Sequence, residues 1–282
     1  MPVKKPKKDW SIINDRIKNR NKKYKADERI FVPTFNDKNV AKVVMRFLDS
    51  PDTDLPYATQ HNHFFNDIGG WMITNCPTSI DKSCPICEDI YKKDLYNKDN
   101  DVYYDRKKKT YFYTNVLIID DKNNPENEGK VFIFKFGKKI MEKIEDAIDD
   151  GKTPWDEEAG ENFTFSAKKK GKMSNYDASY FSDNDTALSE YGDTEEILAK
   201  AYPLGEFTDE KEYKSYDDIK SRYLVVIGED TDSSAPSQKK RSKVEEEEEI
   251  IDEDDDDVPN DIGDGNMFDD DDDDSFFDDL ED

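Results

Sequence analysis

Every histidine and cysteine of the chain lies in one short stretch: His61, His63, Cys76, Cys84 and Cys87. Cys84-Pro85-Ile86-Cys87 is a C-x-x-C, and two thiolates so spaced can chelate one ion from a tight turn. Cys76 and one of the two histidines, His61 or His63, would complete a tetrahedral set of three sulfurs and one nitrogen. Pro77 and Pro85 follow their cysteines and stiffen the ligand loops, and Gly69-Gly70 marks a hairpin turn ahead of Cys76. Four protein ligands leave no open position, so the expected ion is structural. The competing reading, a redox C-x-x-C, lacks a βαβ context. A deaminase would need H-x-E with P-C-x-x-C; here the chain reads His61-Asn62-His63 and Ser83-Cys84. Neither an H-E-x-x-H nor a phosphate-binding glycine loop occurs. The expectation is a protein that is not an enzyme.

A second chemistry-bearing stretch runs from Tyr96 to Tyr113. It holds Tyr96, Tyr103, Tyr104, Tyr111, Phe112 and Tyr113 around Arg106-Lys107-Lys108-Lys109. Flat rings offer stacking faces to unpaired bases and lysines offer point charges to phosphates, a pairing suited to single strands. Phe134 with Lys135, Lys138 and Lys139, and Lys168–Lys172 with Tyr176, extend the pattern. Alternation along a strand would turn about half of these rings into the core.

The net charge of −26 argues against binding to phosphates only as an average. Glu245–Asp282 holds 23 acidic residues and no Lys or Arg, and residues 1–244 hold 45 acids against 42 bases. Met1–Lys25 holds ten bases and two acids. The organisation predicted from this is a basic arm over residues 1–25, a core over 26–228 and a linker with an acidic tail over 229–282. So dense a charge cannot order its backbone by burying apolar surface, so the tail is expected to be disordered. Its Met267-Phe268 and Phe276-Phe277 set in acids resemble a docking peptide for basic partners. The longest aliphatic runs, Val116–Ile119 and Leu224–Ile227, are far short of a span of about 20 residues. With no apolar stretch behind the N-terminal lysines, a soluble intracellular chain is expected.

These residues need strands and helices to position them. Strands are predicted at Val40–Leu48, Tyr111–Ile119, Val131–Phe136 and Phe163–Ala167, the last followed by a basic turn at Lys168–Lys172. Helical spacing predicts Lys138–Ile148, with Ile140, Ile144 and Ile148 in line, and shorter helices at Trp10–Ile17, Glu195–Tyr202 and Tyr213–Tyr223. Short strands broken by loops suggest a fold that is mainly β with α additions: a small barrel of OB type carrying a metal subdomain at about 61–90.

Several fragments together carry a family likeness: His63-Phe64, Gly70-Trp71, Cys76, Ser83-Cys84-Pro85-Ile86-Cys87 and Asp94-Leu95-Tyr96-Asn97, then Pro125-Glu126-Asn127-Glu128-Gly129-Lys130-Val131-Phe132, Phe136-Gly137-Lys138-Lys139-Ile140 and Ser174-Asn175-Tyr176-Asp177. From about Val40 to Tyr180 the chain resembles the T-even-like bacteriophage single-stranded DNA-binding (helix-destabilising) proteins. The resemblance implies an OB-fold core with a zinc subdomain, a basic arm for cooperative self-association, and an acidic tail that binds replication, recombination and repair proteins. It implies one structural Zn2+ on His63, Cys76, Cys84 and Cys87. It places DNA-contacting aromatics at Tyr96, Tyr103, Tyr113, Phe134 and Tyr176, and a lysine-rich motif at Lys107, Lys108, Lys109 and Thr110. The chain departs from the family at Met173, where the family carries an aromatic, and its arm sequence Lys4-Lys5-Pro6-Lys7-Lys8-Asp9 has no adjacent Ser or Thr. The rival expectation from another class is a zinc-containing, acidic-tailed adaptor or chaperone for basic proteins.

Overall fold

The computed structural model describes residues 27–96, 101–170 and 173–229. The arm with its expected helix at Trp10–Ile17 and the tail beyond Glu229 lie outside the described residues. Among the described residues, eight antiparallel strands form one sheet: β1 (Val40–Leu48), β2 (Tyr57–Asp67), β3 (Gly70–Asn75), β4 (Lys109–Asp121), β5 (Val131–Phe136), β6 (Gly160–Lys170), β7 (Met173–Asn175) and β8 (Tyr180–Thr186). Among the described residues the α-helices are few: α1 (Pro85–Lys92), α2 (Asp101–Arg106), α3 (Lys138–Asp149), α4 (Thr194–Leu198) and α5 (Tyr216–Ile227). The fold is therefore mainly β with α additions, as expected. None of these helices is long and apolar enough to cross a membrane.

β4 is the organising strand. Its first half, Lys109–Thr114, pairs with β2; its second half, Asn115–Asp121, pairs with β1; and Phe112–Leu117 also pairs with β5. β6 lines up with the start of β1 and carries β7 and β8. The pattern of β-branched and aromatic residues that predicts β1, β4, β5 and β6 fills a core of Val43, Met45, Phe47, Val116, Ile118, Phe134, Phe136, Phe163 and Phe165. Arg46 is buried on β1, where its guanidinium donates to the carbonyls of Gly160 and Asp156 and fastens that loop to the sheet.

Three helical expectations shift in detail. α3 buries Ile140, Met141, Ile144 and Ala147, while Ile148 is 49% exposed. Eight residues advance the helix by about 800°, so Ile148 drifts about 80° off the stripe that Ile140 begins. α4 is one turn, and α5 begins at Tyr216 because the side chain of Ser215 caps it by accepting from the Asp218 N–H. The expected basic turn at Lys168 is partly strand, since Lys168, Lys169 and Lys170 continue β6 in register with β7.

A second, smaller core carries the cysteines. Phe65 of β2, Met72 of β3, Cys76, Cys84, Ile86 and Ile90 of α1, and Ile219, Tyr223 and Val226 of α5 pack together. The close approach of α5 to the β2–β3 turn requires a glycine. The N–H of Gly69 donates to the Val226 carbonyl at 2.8 Å, and a Cβ at position 69 would lie 2.0 Å from the Val225 oxygen. Gly70 completes the turn at φ +98°, in the left-handed region that glycine adopts freely.

Candidate metal centre and nucleic-acid interface

Three short segments bring four ligands to one point. His63 stands on β2 opposite Thr74 of β3, so the chain leaving β3 returns Cys76 to the same end of the hairpin, where its N–H donates to the His61 carbonyl at 2.7 Å. Ser79 locks this turn, donating to the Cys76 carbonyl and accepting the His61 N–H. Cys84 is the N-cap of α1, with Pro85 at the first helical position and Cys87 in the first turn. The ligand atoms of His63, Cys76, Cys84 and Cys87 all lie within 4.8 Å of one another, and only Cys87 is more than marginally exposed.

The separations fit an ion. Cys76 Sγ to Cys87 Sγ is 3.6 Å, and His63 Nε2 is 3.4 Å from Cys84 Sγ and 3.5 Å from Cys87 Sγ. A tetrahedron with arms of about 2.3 Å has edges of about 3.8 Å. Nδ1 of His63 lies 2.9 Å from the Arg106 carbonyl, an arrangement that places the proton on Nδ1 and leaves Nε2 for coordination. Burial works against a protonated His63, but hydrogen bonds to, and negative charge on, the sulfurs of Cys76 and Cys84 outweigh it and raise its pKa to about 9. Hydrogen bonds from Cys84 and Cys87 lower the pKa of Cys76, while Cys76 and Cys84 raise that of Cys87. Three sulfurs so close cannot all ionise unless a cation stands between them; an ion resolves the conflict and releases protons on binding. His61 is not in the cluster: its Nδ1 lies 3.0 Å from Thr110 Oγ1, and burial and Lys108 lower its pKa.

The aromatic and basic strip divides in two. Beside the metal cluster, α2 carries Tyr103 and Tyr104 with ring centroids 5.6 Å apart, and Lys107 Nζ lies 5.9 Å and 4.9 Å from their centroids. Tyr104 is 36% and Tyr96 57% exposed. Lys108 is exposed and donates to Thr78 Oγ1 at 3.3 Å; Lys109 and Thr110 begin β4, half-buried. Lys138 and Lys139, also half-buried, open α3.

The other rings face inward. Tyr113 stacks on Phe207 at 3.9 Å and its hydroxyl donates to Gln60. Phe134 is 1% exposed in the main core, and Tyr176 packs on Phe165 with centroids 5.8 Å apart. All three rings are buried, each covered by residues distant in sequence. Lys135 projects beside them, its Nζ 4.1 Å from the Tyr111 centroid, and burial pushes its pKa down to about 8. Sequence reasoning missed α5 as a wall of the metal centre.

The family described as gp32 DNA binding protein like matches residues 38–227. This chain belongs to that family. The match takes in every described strand and helix. The single-stranded DNA-binding proteins of Enterobacteria phages T2 and T4 are each 38% identical to this chain over 200 residues, covering 66% of it and 66% of each relative. The chain thus spans just under two thirds of the length of the relatives it matches. A protein of the same description from Enterobacteria phage RB70 is 43% identical over 75 residues, covering 26% of this chain and 64% of that protein. In this gp32-like chain the four-ligand cluster and the α2 rings form one continuous structure, since the residue whose carbonyl orients His63 is the neighbour of Lys107.

Proposed function

We propose that this protein binds single-stranded DNA and coats it cooperatively during viral DNA replication, recombination and repair, performing no reaction on it. The observation that carries the reading is the group of Tyr103, Tyr104 and Lys107 built against a four-ligand metal cluster in a gp32-like chain. Exposed rings stack on unpaired bases and lysines neutralise phosphates, neither of which reads sequence. Three thiolates and one imidazole in a tetrahedral arrangement suit Zn2+, which here would fold the segment of about residues 61–90.

The base-stacking set is drawn from Tyr96, Tyr103 and Tyr104, with Lys107, Lys108, Lys109, Lys135, Lys138 and Lys139 as phosphate contacts. Tyr113, Phe134 and Tyr176 act through packing. The arm over residues 1–25 contacts the neighbouring copy on the strand, and the acidic tail of 229–282 engages replication, recombination and repair proteins in the cytoplasm of an infected host.

Titrating the intrinsic Tyr and Trp fluorescence with oligo-dT and with a duplex of equal length tests the reading. Strong quenching by oligo-dT, weak response to duplex and one zinc per chain by elemental analysis support it. No response to oligo-dT would favour the adaptor for basic proteins instead.

A further inference from the structure

Arg106 opens the run Arg106-Lys107-Lys108-Lys109, and by composition it is one more cation for a phosphate backbone. Its surroundings give it another task. The guanidinium is turned inward, its side chain 13% exposed. Nη2 donates to Asp67 Oδ2 at 2.7 Å and Nη1 donates to the Tyr223 hydroxyl at 3.2 Å. It also lies 5.8 Å from the Tyr223 ring centroid and 6.0 Å from that of Phe65. The Tyr223 hydroxyl in turn donates to Asp89 Oδ2 at 2.7 Å.

Each of these partners belongs to a different wall of the metal centre. Asp67 ends β2, the strand of His63; Asp89 follows Cys87 on α1; Tyr223 lies on α5. The main chain of Arg106 supplies the remaining link, since its carbonyl stands 2.9 Å from His63 Nδ1. Lys107, Lys108 and Lys109 follow directly. A planar fork is suited to holding a carboxylate and a hydroxyl at once, which an ammonium cannot do in the same geometry.

The geometry points to Arg106 as the positioning residue that couples the metal centre to the basic strip, so that metal occupancy and single-strand affinity depend on each other. If α2 shifts, the acceptor that orients His63 and the Tyr103–Tyr104–Lys107 group move together. Loss of an outer partner of a ligating histidine commonly costs 10- to 100-fold in metal affinity. Coupling between two binding events is reciprocal, so the strand tightens the metal by the factor by which the metal tightens the strand. The inference rests on the single-strand reading above, and one arm of its test does not.

The test uses the full chain, zinc-loaded and chelator-stripped, as wild type, Arg106→Met, Arg106→Lys and Asp67→Asn. Zinc affinity is read by competition with a chromophoric chelator, and strand affinity by oligo-dT fluorescence. Arg106→Met keeps the main-chain carbonyl but releases α2 from Asp67 and Tyr223, so zinc should weaken by up to about tenfold, and the ratio of oligo-dT affinities with and without zinc should fall toward one. Arg106→Lys should restore part of both, and Asp67→Asn should fall between Lys and wild type. Wild-type zinc affinity in Arg106→Met, or a wild-type ratio despite weakened zinc, would overturn the proposal. Should Arg106→Met fail to fold, Asp67→Asn with unchanged zinc affinity and ratio overturns it equally. A wild-type protein that binds no oligo-dT would sink the single-strand reading and with it the coupling, while the zinc arm would still decide whether Arg106 holds the metal centre.

Discussion

At the scale of single residues, the same side-chain type plays opposite parts according to its neighbours. Tyr104 is exposed beside Lys107, whereas Tyr113 is covered by Phe207. Tyr104→Ala should therefore weaken oligo-dT binding by about 1–3 kcal/mol with little change in the urea midpoint. Phe134→Ala should do the reverse, costing about 3–5 kcal/mol of folding stability; parallel denaturation and binding curves separate the two. Lys135 supplies a pH signature. Its pKa is about 8 in the folded chain against 10.5 when unfolded, so above pH 8 the unfolded state holds more protons and the cost of burying the cation is progressively relieved. The stability of wild type relative to Lys135→Met should thus shift in the wild type's favour from pH 7 to pH 10, read as the difference in urea midpoints. A pH-independent difference contradicts that placement. The four ligands were legible in the sequence because His and Cys are scarce and confined there, but the choice of His63 over His61 came from resemblance and, in the structure, from the Thr110 contact that occupies His61. Burial of Tyr113 was not legible, since the ring that covers it lies far along the chain.

At the scale of elements, local pattern sufficed where a strand or helix buries a regular face. β1, β5 and α3 were readable for that reason, from strands rich in β-branched and aromatic residues or from a 3.6-residue stripe. β2 was not, because its buried positions are Ala58, Gln60, His63 and Phe65: the alternation slips between Gln60 and His63, and two of the four are polar. Gln60 is held by the Tyr113 hydroxyl and the Phe207 carbonyl, and His63 by the metal cluster, so tertiary partners override the pattern. The eight residues of α1 read as a ligand loop, since a C-x-x-C hides its one helical turn. The packing of α5 on the β2–β3 hairpin makes a sharp prediction at Gly69. Gly69→Ala must push the turn away from Val225, lowering stability by about 1–3 kcal/mol and loosening the metal; urea denaturation with and without a zinc chelator checks both.

At the scale of the whole molecule, the charge of −26 is spread very unevenly along the chain. Almost all of the excess lies in Glu245–Asp282, beyond the family match at residues 38–227. A tethered polyanion competes with a strand for the chain's own lysines, so deleting Glu245–Asp282 should raise oligo-dT affinity at low salt, with the gain fading as salt screens it. A chain of this net charge must take up single strands through its lysines and rings for these assignments to hold. The most direct measurement is a poly-dT fluorescence titration of the zinc-loaded chain across a series of salt concentrations. The prediction is tight binding at low salt, with log affinity falling linearly against log salt at a slope of about −0.7 for each phosphate neutralised. Absent binding at low salt, or an affinity indifferent to salt, would contradict it.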